Sequence, residues 1–313
     1  MKKLLLAAIL TLPAVAVLAQ PVDRGAATTR AASQAVVVSA EQVMALAQRA
    51  RQGYAAAAAK NPNMHETIIQ STPYTLSLEH RVGKANAARH ATQAELMIVL
   101  EGSGLFTSGG TILNGVVSGN NTSGPEITGG TARRVGKGDM MLVPEGVAHQ
   151  FLPDAGGPLI MATMLVPRTG TWGPPAPGGR GGAPRLFTAG SELPAMVGTA
   201  GKALSGSTRF FTGEALLALP PYRVGLEYWS PRRLSAVHDG GELMLVLEGE
   251  GTMVTEGRVV NPRQSGGDML GDDIEGGRPQ KLKKGDFIFV PKGVAHMAVA
   301  DSGPFALASM HLP

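Results

Sequence analysis

The chain has no cysteine, and aromatic residues make up only 4% of its 313 residues. The first absence excludes disulfides, thiolate metal sites, cysteine nucleophiles and lipid attachment through a cysteine. Folding therefore rests on burial of apolar surface alone. The second absence leaves few platforms for stacking bases. Basic runs are equally scarce: Lys and Arg come in ones and twos, as in Arg133-Arg134, Arg232-Arg233 and Lys283-Lys284. That is the pattern of a solvated surface, so nucleic acid is not an expected partner. Long hydrophobic runs are missing after the first, Leu4 to Leu18.

That run follows Lys2 and Lys3 and ends in Val17-Leu18-Ala19, with small residues at the positions a signal peptidase reads. It falls short of the roughly 20 apolar residues a membrane-spanning helix needs. Residues 1–19 are expected to be a Sec-type signal peptide cleaved after Ala19, giving a periplasmic or secreted protein without membrane attachment. Loss of Lys2 and Lys3 lowers the formal charge of +4 by two, so the pI near 9.4 overstates the basic character.

The full sequence is 43% hydrophobic, and what remains after the leader is long enough for two domains. Residues 20–65 are expected to hold an N-terminal arm and a helix. Residues 20 to 38 show no clear period and are assigned to a flexible arm. Ser39 and Gln42 form a capping-box pattern ahead of the Ala-, Gln- and Arg-rich stretch from Ala40 to about Lys60, which Asn61-Pro62-Asn63 would stop. From Glu66 the sequence turns to short β-prone runs punctuated by Gly and Pro. Between Gly170 and Pro184, 10 of 15 residues are Gly or Pro, so 169–186 is expected to be a linker.

Duplication is the strongest signal. Glu95-Leu-Met-Ile-Val-Leu-Glu-Gly102 recurs as Glu242-Leu-Met-Leu-Val-Leu-Glu-Gly249, and Val143-Pro144-Glu-Gly146-Val-Ala-His149 recurs as Val290-Pro291-Lys-Gly293-Val-Ala-His296, both 147 residues on. Gly138-Asp139 recurs as Gly285-Asp286, Pro73-Tyr74 as Pro221-Tyr222, and Gly157-Pro158 as Gly303-Pro304. A period this long marks a duplicated domain, expected at 66–168 and 187–313.

Four of the seven histidines occupy repeated positions. His238 and Glu242 flank the turn signal Asp239-Gly240-Gly241, and His90 and Glu95 flank a turn one residue longer. Each pair is expected to face itself across a hairpin. A second turn, Pro144-Glu145-Gly146 or Pro291-Lys292-Gly293, precedes His149 or His296. Two imidazoles and a carboxylate converging on one point form a facial triad for non-haem iron, with manganese, zinc or nickel as alternatives. The triad leaves coordination positions open for water or substrate. The proposed ligands are His90, Glu95 and His149 in one copy and His238, Glu242 and His296 in the other. His311 aligns with Leu165 and is read as outside the duplicated site.

These same residues carry a family resemblance. The run from Gly83 to Gly102 resembles the first cupin motif, and Gly138 through Pro144 with Gly146 and His149 resembles the second; the other copy repeats both, with Ser230 in place of the opening Gly. The resemblance implies a bicupin, an all-β chain of two tandem jelly-roll barrels with a short N-terminal helical segment and a metal in each barrel mouth. The family pattern has a further histidine two positions before His90 and His238, where Ala88 and Ala236 stand. This departure weakens any analogy with bicupin oxalate decarboxylases and quercetin dioxygenases.

Other repeated residues have two readings each. Tyr74 and Tyr222 are phenolic ligands or core aromatics with the hydroxyl at a barrel edge. Glu79 and Glu227 support the ligands or face outward. Met140, Met141, Met161 and Met164 suit soft copper ligation or, more simply, core filling. Asn120-Asn121-Thr122-Ser123 is read as loop. The Gly-rich segments Gly102–Gly138 and Gly249–Gly285 either shape the barrel mouths or pack the barrels together. The expectation is a metal-dependent enzyme of oxygenase, lyase or isomerase type on a small organic substrate. Its alternative is a cupin that binds a ligand or metal without turnover, and a homo-oligomer stays open.

Overall fold

A computed structural model describes residues 34–57, 63–168 and 184–313. The signal-peptide segment, the Asn61-Pro62 stop and most of the Gly/Pro-rich stretch lie outside the described residues. Among the described residues, no helix is long and apolar enough to cross a membrane.

Each copy folds into a jelly-roll barrel of two facing antiparallel sheets. In the first barrel, Gln93–Glu101 lies at the centre of one sheet, between Met140–Val143 and Leu159–Pro167. The facing sheet carries Ser103–Ser108, His149–Pro153 and Ala87–His90 in that order. The motif strand is continuously apolar because both its faces are buried. Met97 and Val99 enter the barrel interior with Phe106, Met141 and Phe151, whereas Leu96 and Ile98 point the other way. There they meet Leu217, Leu243, Leu245 and Phe289 of the second copy in one shared core. The four methionines singled out in sequence are all buried core residues.

The repeated glycines and prolines explain each other. Gly102 and Gly249 adopt φ of 82° and 79°, where the strand turns from one sheet into the next. A Cβ on Gly102 would lie 2.0 Å from the carbonyl oxygen of Pro158, and one on Gly249 would lie 1.5 Å from that of Pro304. Only glycine passes at these corners. In the second barrel the corner is smooth enough for Gly241–Thr255 and His296–Leu312 to run unbroken through both sheets.

Two expectations change. The segment up to Val38 is not a flexible arm throughout: Val36–Val38 is a strand, paired antiparallel with Phe287–Val290 of the second barrel. In return, Phe187–Thr188 pairs with Met140 and Met141 of the first barrel. The reason is an open sheet edge in each barrel, which the segment leading into the other copy covers. A helix follows each exchanged strand. The first, Ala40–Ala57, has the expected capping box: Ser39 N donates to Gln42 Oε1 at 2.8 Å and Gln42 N to Ser39 Oγ at 3.2 Å. The second, Leu193–Leu204, was not anticipated because Gly198 and Gly201 lower its helix propensity; packing of Met196, Val197 and Ala200 into the shared core compensates.

The repeated aspartates fasten this exchange. Asp286 accepts from Ala40 N at 2.8 Å and from Lys283 N at 2.9 Å. Asp139 does the same with Gly190 N and Gly136 N, both at 2.8 Å. Tyr74 and Tyr222 likewise reach across: each is buried, the Tyr74 hydroxyl donates to the Pro313 carbonyl, and the Tyr222 hydroxyl donates to Glu145. They belong to the interface between barrels and are core aromatics with bonded edges.

Candidate metal centres

His90 ends the strand Ala87–His90 and Glu95 lies in Gln93–Glu101, but these strands belong to opposite sheets. The turn between them is a link across the barrel mouth, not the expected hairpin. His149 starts the strand paired with Ala87–His90, opposite Ala88. This brings His90 Nε2 to 3.3 Å and His149 Nε2 to 2.9 Å from Glu95 Oε2. In the second barrel, His238 Nε2 lies 3.7 Å and His296 Nε2 3.0 Å from Glu242 Oε2. All six proposed ligands are brought together as two clusters.

The second cluster has a further member. His311 lies directly across the strand pair from Glu242, as Leu165 lies across from Glu95. Its Nε2 is 3.7 Å from Glu242 Oε1, and its ring centroid is 4.4 Å from that of His238. His311 has no counterpart in the duplicated set, as its alignment with Leu165 implies, yet it joins the second cluster. Comparison of copies keeps what they share, so a residue present in one cluster alone is invisible to it.

Four of the five imidazoles turn Nδ1 toward an oxygen. His90 Nδ1 meets Asn121 Oδ1 at 2.8 Å and His238 Nδ1 meets Asp268 Oδ1 at 2.9 Å. His149 and His296 turn Nδ1 to the carbonyls of Val147 and Val294, at 3.4 and 3.2 Å. With Nδ1–H directed to oxygen in His90, His149 and His296, their Nε2 lone pairs are left for a metal; His238 Nδ1 lies close to Asp268 without a well-directed hydrogen bond. Asn121 is therefore not simple loop. Its strand, Asn121–Gly124, pairs with Ala87–His90, and Asp268–Gly271 pairs with Ser235–Val237. The Gly-rich segments thus form part of the barrel mouths. The 147-residue offset links Asn121 to Asp268, and this was the available signal for the pair.

Glu95 Oε2 and Glu242 Oε2 are buried and make no well-directed hydrogen bond, although imidazole nitrogens face them. A cation between them would satisfy both sides, and the N, N, O donor set suits a divalent transition metal. Electrostatics agree. Burial alone would push the Glu95 carboxyl upward, but the imidazoles of His149 and His90 reverse this and hold it well below the usual carboxylate range. Burial works against Glu242 too, and His311, His296 and His238 keep it ionised. Burial lowers His238, whereas the Glu95 carboxylate raises His90 and, against burial, Glu242 raises His296.

Glu79 and Glu227 are buried behind these clusters and do not face outward. Glu79 is held by Arg81 and by Thr163 Oγ1 at 3.1 Å; Glu227 accepts from Trp229 Nε1 at 3.0 Å. Burial and the nearby Glu242 charge push the Glu227 carboxyl up to about 8.

The chain matches no protein-family profile and no curated protein sequence. Its fold does match solved structures. The salicylate 1,2-dioxygenase of Pseudaminobacter salicylatoxidans aligns with TM-score 0.58 and 13% identity over 90% of this chain and 85% of that one. A variant of the same enzyme aligns with TM-score 0.60 and 14% identity, covering 93% and 87%. Another variant, in complex with gentisate, gives TM-score 0.58 and 13% identity over 90% and 83%. At such identity the likeness establishes the two-barrel architecture and nothing finer.

Proposed function

We propose that this bicupin is a metal-dependent enzyme of the periplasm, acting on a small organic molecule by oxygenase chemistry. The observation that carries the proposal is a buried carboxylate, Glu242, ringed by the imidazoles of His238, His296 and His311 and opening into a cavity of about 360 Å³ in the second barrel. That volume sits near the lower end of the roughly 300–1,000 Å³ typical of ligand pockets. Lyase and isomerase chemistry use the same donor set. The oxygenase reading draws support from the fold likeness to salicylate 1,2-dioxygenase. The periplasmic address draws support from Lys2-Lys3, the apolar run after them and Ala19.

In the first barrel His90, Glu95 and His149 would hold an ion, and in the second His238, Glu242 and His296, with His311 beside them. A bound divalent ion supplies Lewis acidity and open coordination positions for substrate. The chain's own residues do the rest. Asp268 and the Val294 carbonyl fix the orientation of His238 and His296, and Ser309 donates to Glu242 Oε1, leaving Oε2 toward the imidazoles. The apolar part of the wall, with Met244, Met253, Leu234 and Leu270, lowers the local dielectric, which strengthens charge interactions beside it. Glu227, buried beside the cluster, is the carboxyl placed to hold a proton there.

The test is elemental analysis of the protein purified from periplasm, beside paired His90/His149 and His238/His296 alanine variants. Each pair is expected to lose one metal equivalent per chain, and oxygen consumption with small phenolic and carbonyl compounds is expected to vanish with the second pair. Full metal content without oxygen uptake by any compound would favour binding without turnover.

A further inference from the structure

The two barrels are so alike that the few interior positions where they differ bear directly on what each encloses. In the first, Phe151 and Phe106 stand opposite each other on paired strands with ring centroids 4.8 Å apart. The matched pair in the second is Ala298 and Met253, in the same register. Arg81 lies with its guanidinium carbon 5.3 Å from the centre of the Phe151 ring and bonds Glu79 through Nε at 2.8 Å. Its counterpart is Trp229, which stacks on Phe211 at 4.7 Å.

The exchange of Phe for Ala, with Met in place of the second Phe, removes bulk beside the ligands. The second barrel's cavity has Ala298, Met253, Trp229 and Phe211 in its wall, together with Leu234 and Leu270. No Lys or Arg lines it, whereas Glu227, Glu242 and Asp268 all do. An ionised group on a substrate would thus have the metal as its one positive partner, and a second such group would be buried unpaired. The wall offers apolar, partly aromatic surface for the body of the molecule.

We infer that only the second barrel admits an organic substrate, that Phe106, Phe151 and Arg81 plug the first, and that Ala298 with the Trp229–Phe211 pair selects a planar, apolar molecule bearing no more than one ionised group. This rests on the metal-enzyme reading above, and it assigns the first barrel's ion a holding role without substrate. The Arg81–Glu79 pair completes the plug: Arg81 lies against the Phe151 ring, whereas Trp229 at the matched position stacks on Phe211 in the cavity wall.

The test uses the full-length, metal-loaded chain and two probes, 4-nitrocatechol (planar, singly ionised) and citrate (three carboxylates). Binding is followed by the visible band of the nitrocatechol and by calorimetry, with metal content measured on the same samples. One nitrocatechol per chain is expected, and no citrate. Ala298→Phe, which rebuilds the plug, should weaken nitrocatechol by roughly tenfold or more through steric overfilling, with both metal equivalents retained. Met253→Phe is the second variant should the first fail to fold, with the same expectation. Phe151→Ala should leave the nitrocatechol affinity of the second barrel unchanged. Two probes bound per chain, tighter binding of citrate, or undiminished binding in both Phe variants would overturn the inference. A wild-type chain that takes up no metal at all would instead bring down the reading beneath it, and elemental analysis registers that separately from probe binding.

Discussion

At the scale of single residues, the two candidate centres show how much of a cluster's geometry is set by residues outside it. Asn121 and Asp268 touch no ligand position themselves, but each fixes the ring of the first histidine through Nδ1. Such partners are worth roughly 10- to 100-fold in metal affinity. Asp268→Ala is therefore expected to weaken the second site by about that factor, and Asn121→Ala the first, in a competition titration against a chromophoric chelator. Asp268→Asn should restore most of the loss, since its Oδ1 can still accept. Unchanged affinity in the alanine variants would mean that the rings are oriented by packing alone. The clusters His90/Glu95/His149 and His238/Glu242/His296 were legible as groupings because their residue types repeat in spacing. Asn121 was readable only by carrying the same offset into a Gly-rich stretch. His311 was not readable at all, because nothing in the other copy answers to it.

At the scale of strands and helices, Asp139 and Asp286 have a purely architectural task. Each closes its own turn and also holds a backbone N–H of the segment entering from the other half, Ala40 at the start of its helix and Gly190 three residues before Leu193–Leu204. Removing a buried carboxylate that accepts two backbone hydrogen bonds costs about 2 kcal/mol or more. Asp286→Ala is expected to lower the urea midpoint accordingly and to speed amide exchange selectively at Val36–Val38; exchange that rises uniformly would argue against a local fastening. The barrel strands could be read from duplicated apolar runs and their Gly-Pro corners. The strand Val36–Val38 could not, because three valines carry no alternation and their partner lies some 250 residues away. The helix Leu193–Leu204 escaped notice for a related reason: its stability comes from the shared core and not from its own residues.

At the scale of the whole molecule, the halves are not independent. Apolar side chains of both copies meet in one core, and each barrel's sheet ends in a strand supplied from the segment preceding the other. Heating the metal-free protein is expected to give one calorimetric transition, with equal calorimetric and van't Hoff enthalpies. Two resolved transitions would show that the barrels unfold separately and that the shared core contributes little.

The reciprocal strand exchange has a consequence for the Gly- and Pro-rich stretch between the copies. Because Val36–Val38 is clasped by the far half and Phe187–Thr188 by the near one, covalent continuity there is not what keeps the halves together. A protease cut between residues 170 and 183 should leave a nicked protein whose fragments comigrate until denaturant parts them. The same geometry would let two half-length chains embrace as a swapped pair, the form in which a single-copy forerunner would have closed its own open edges.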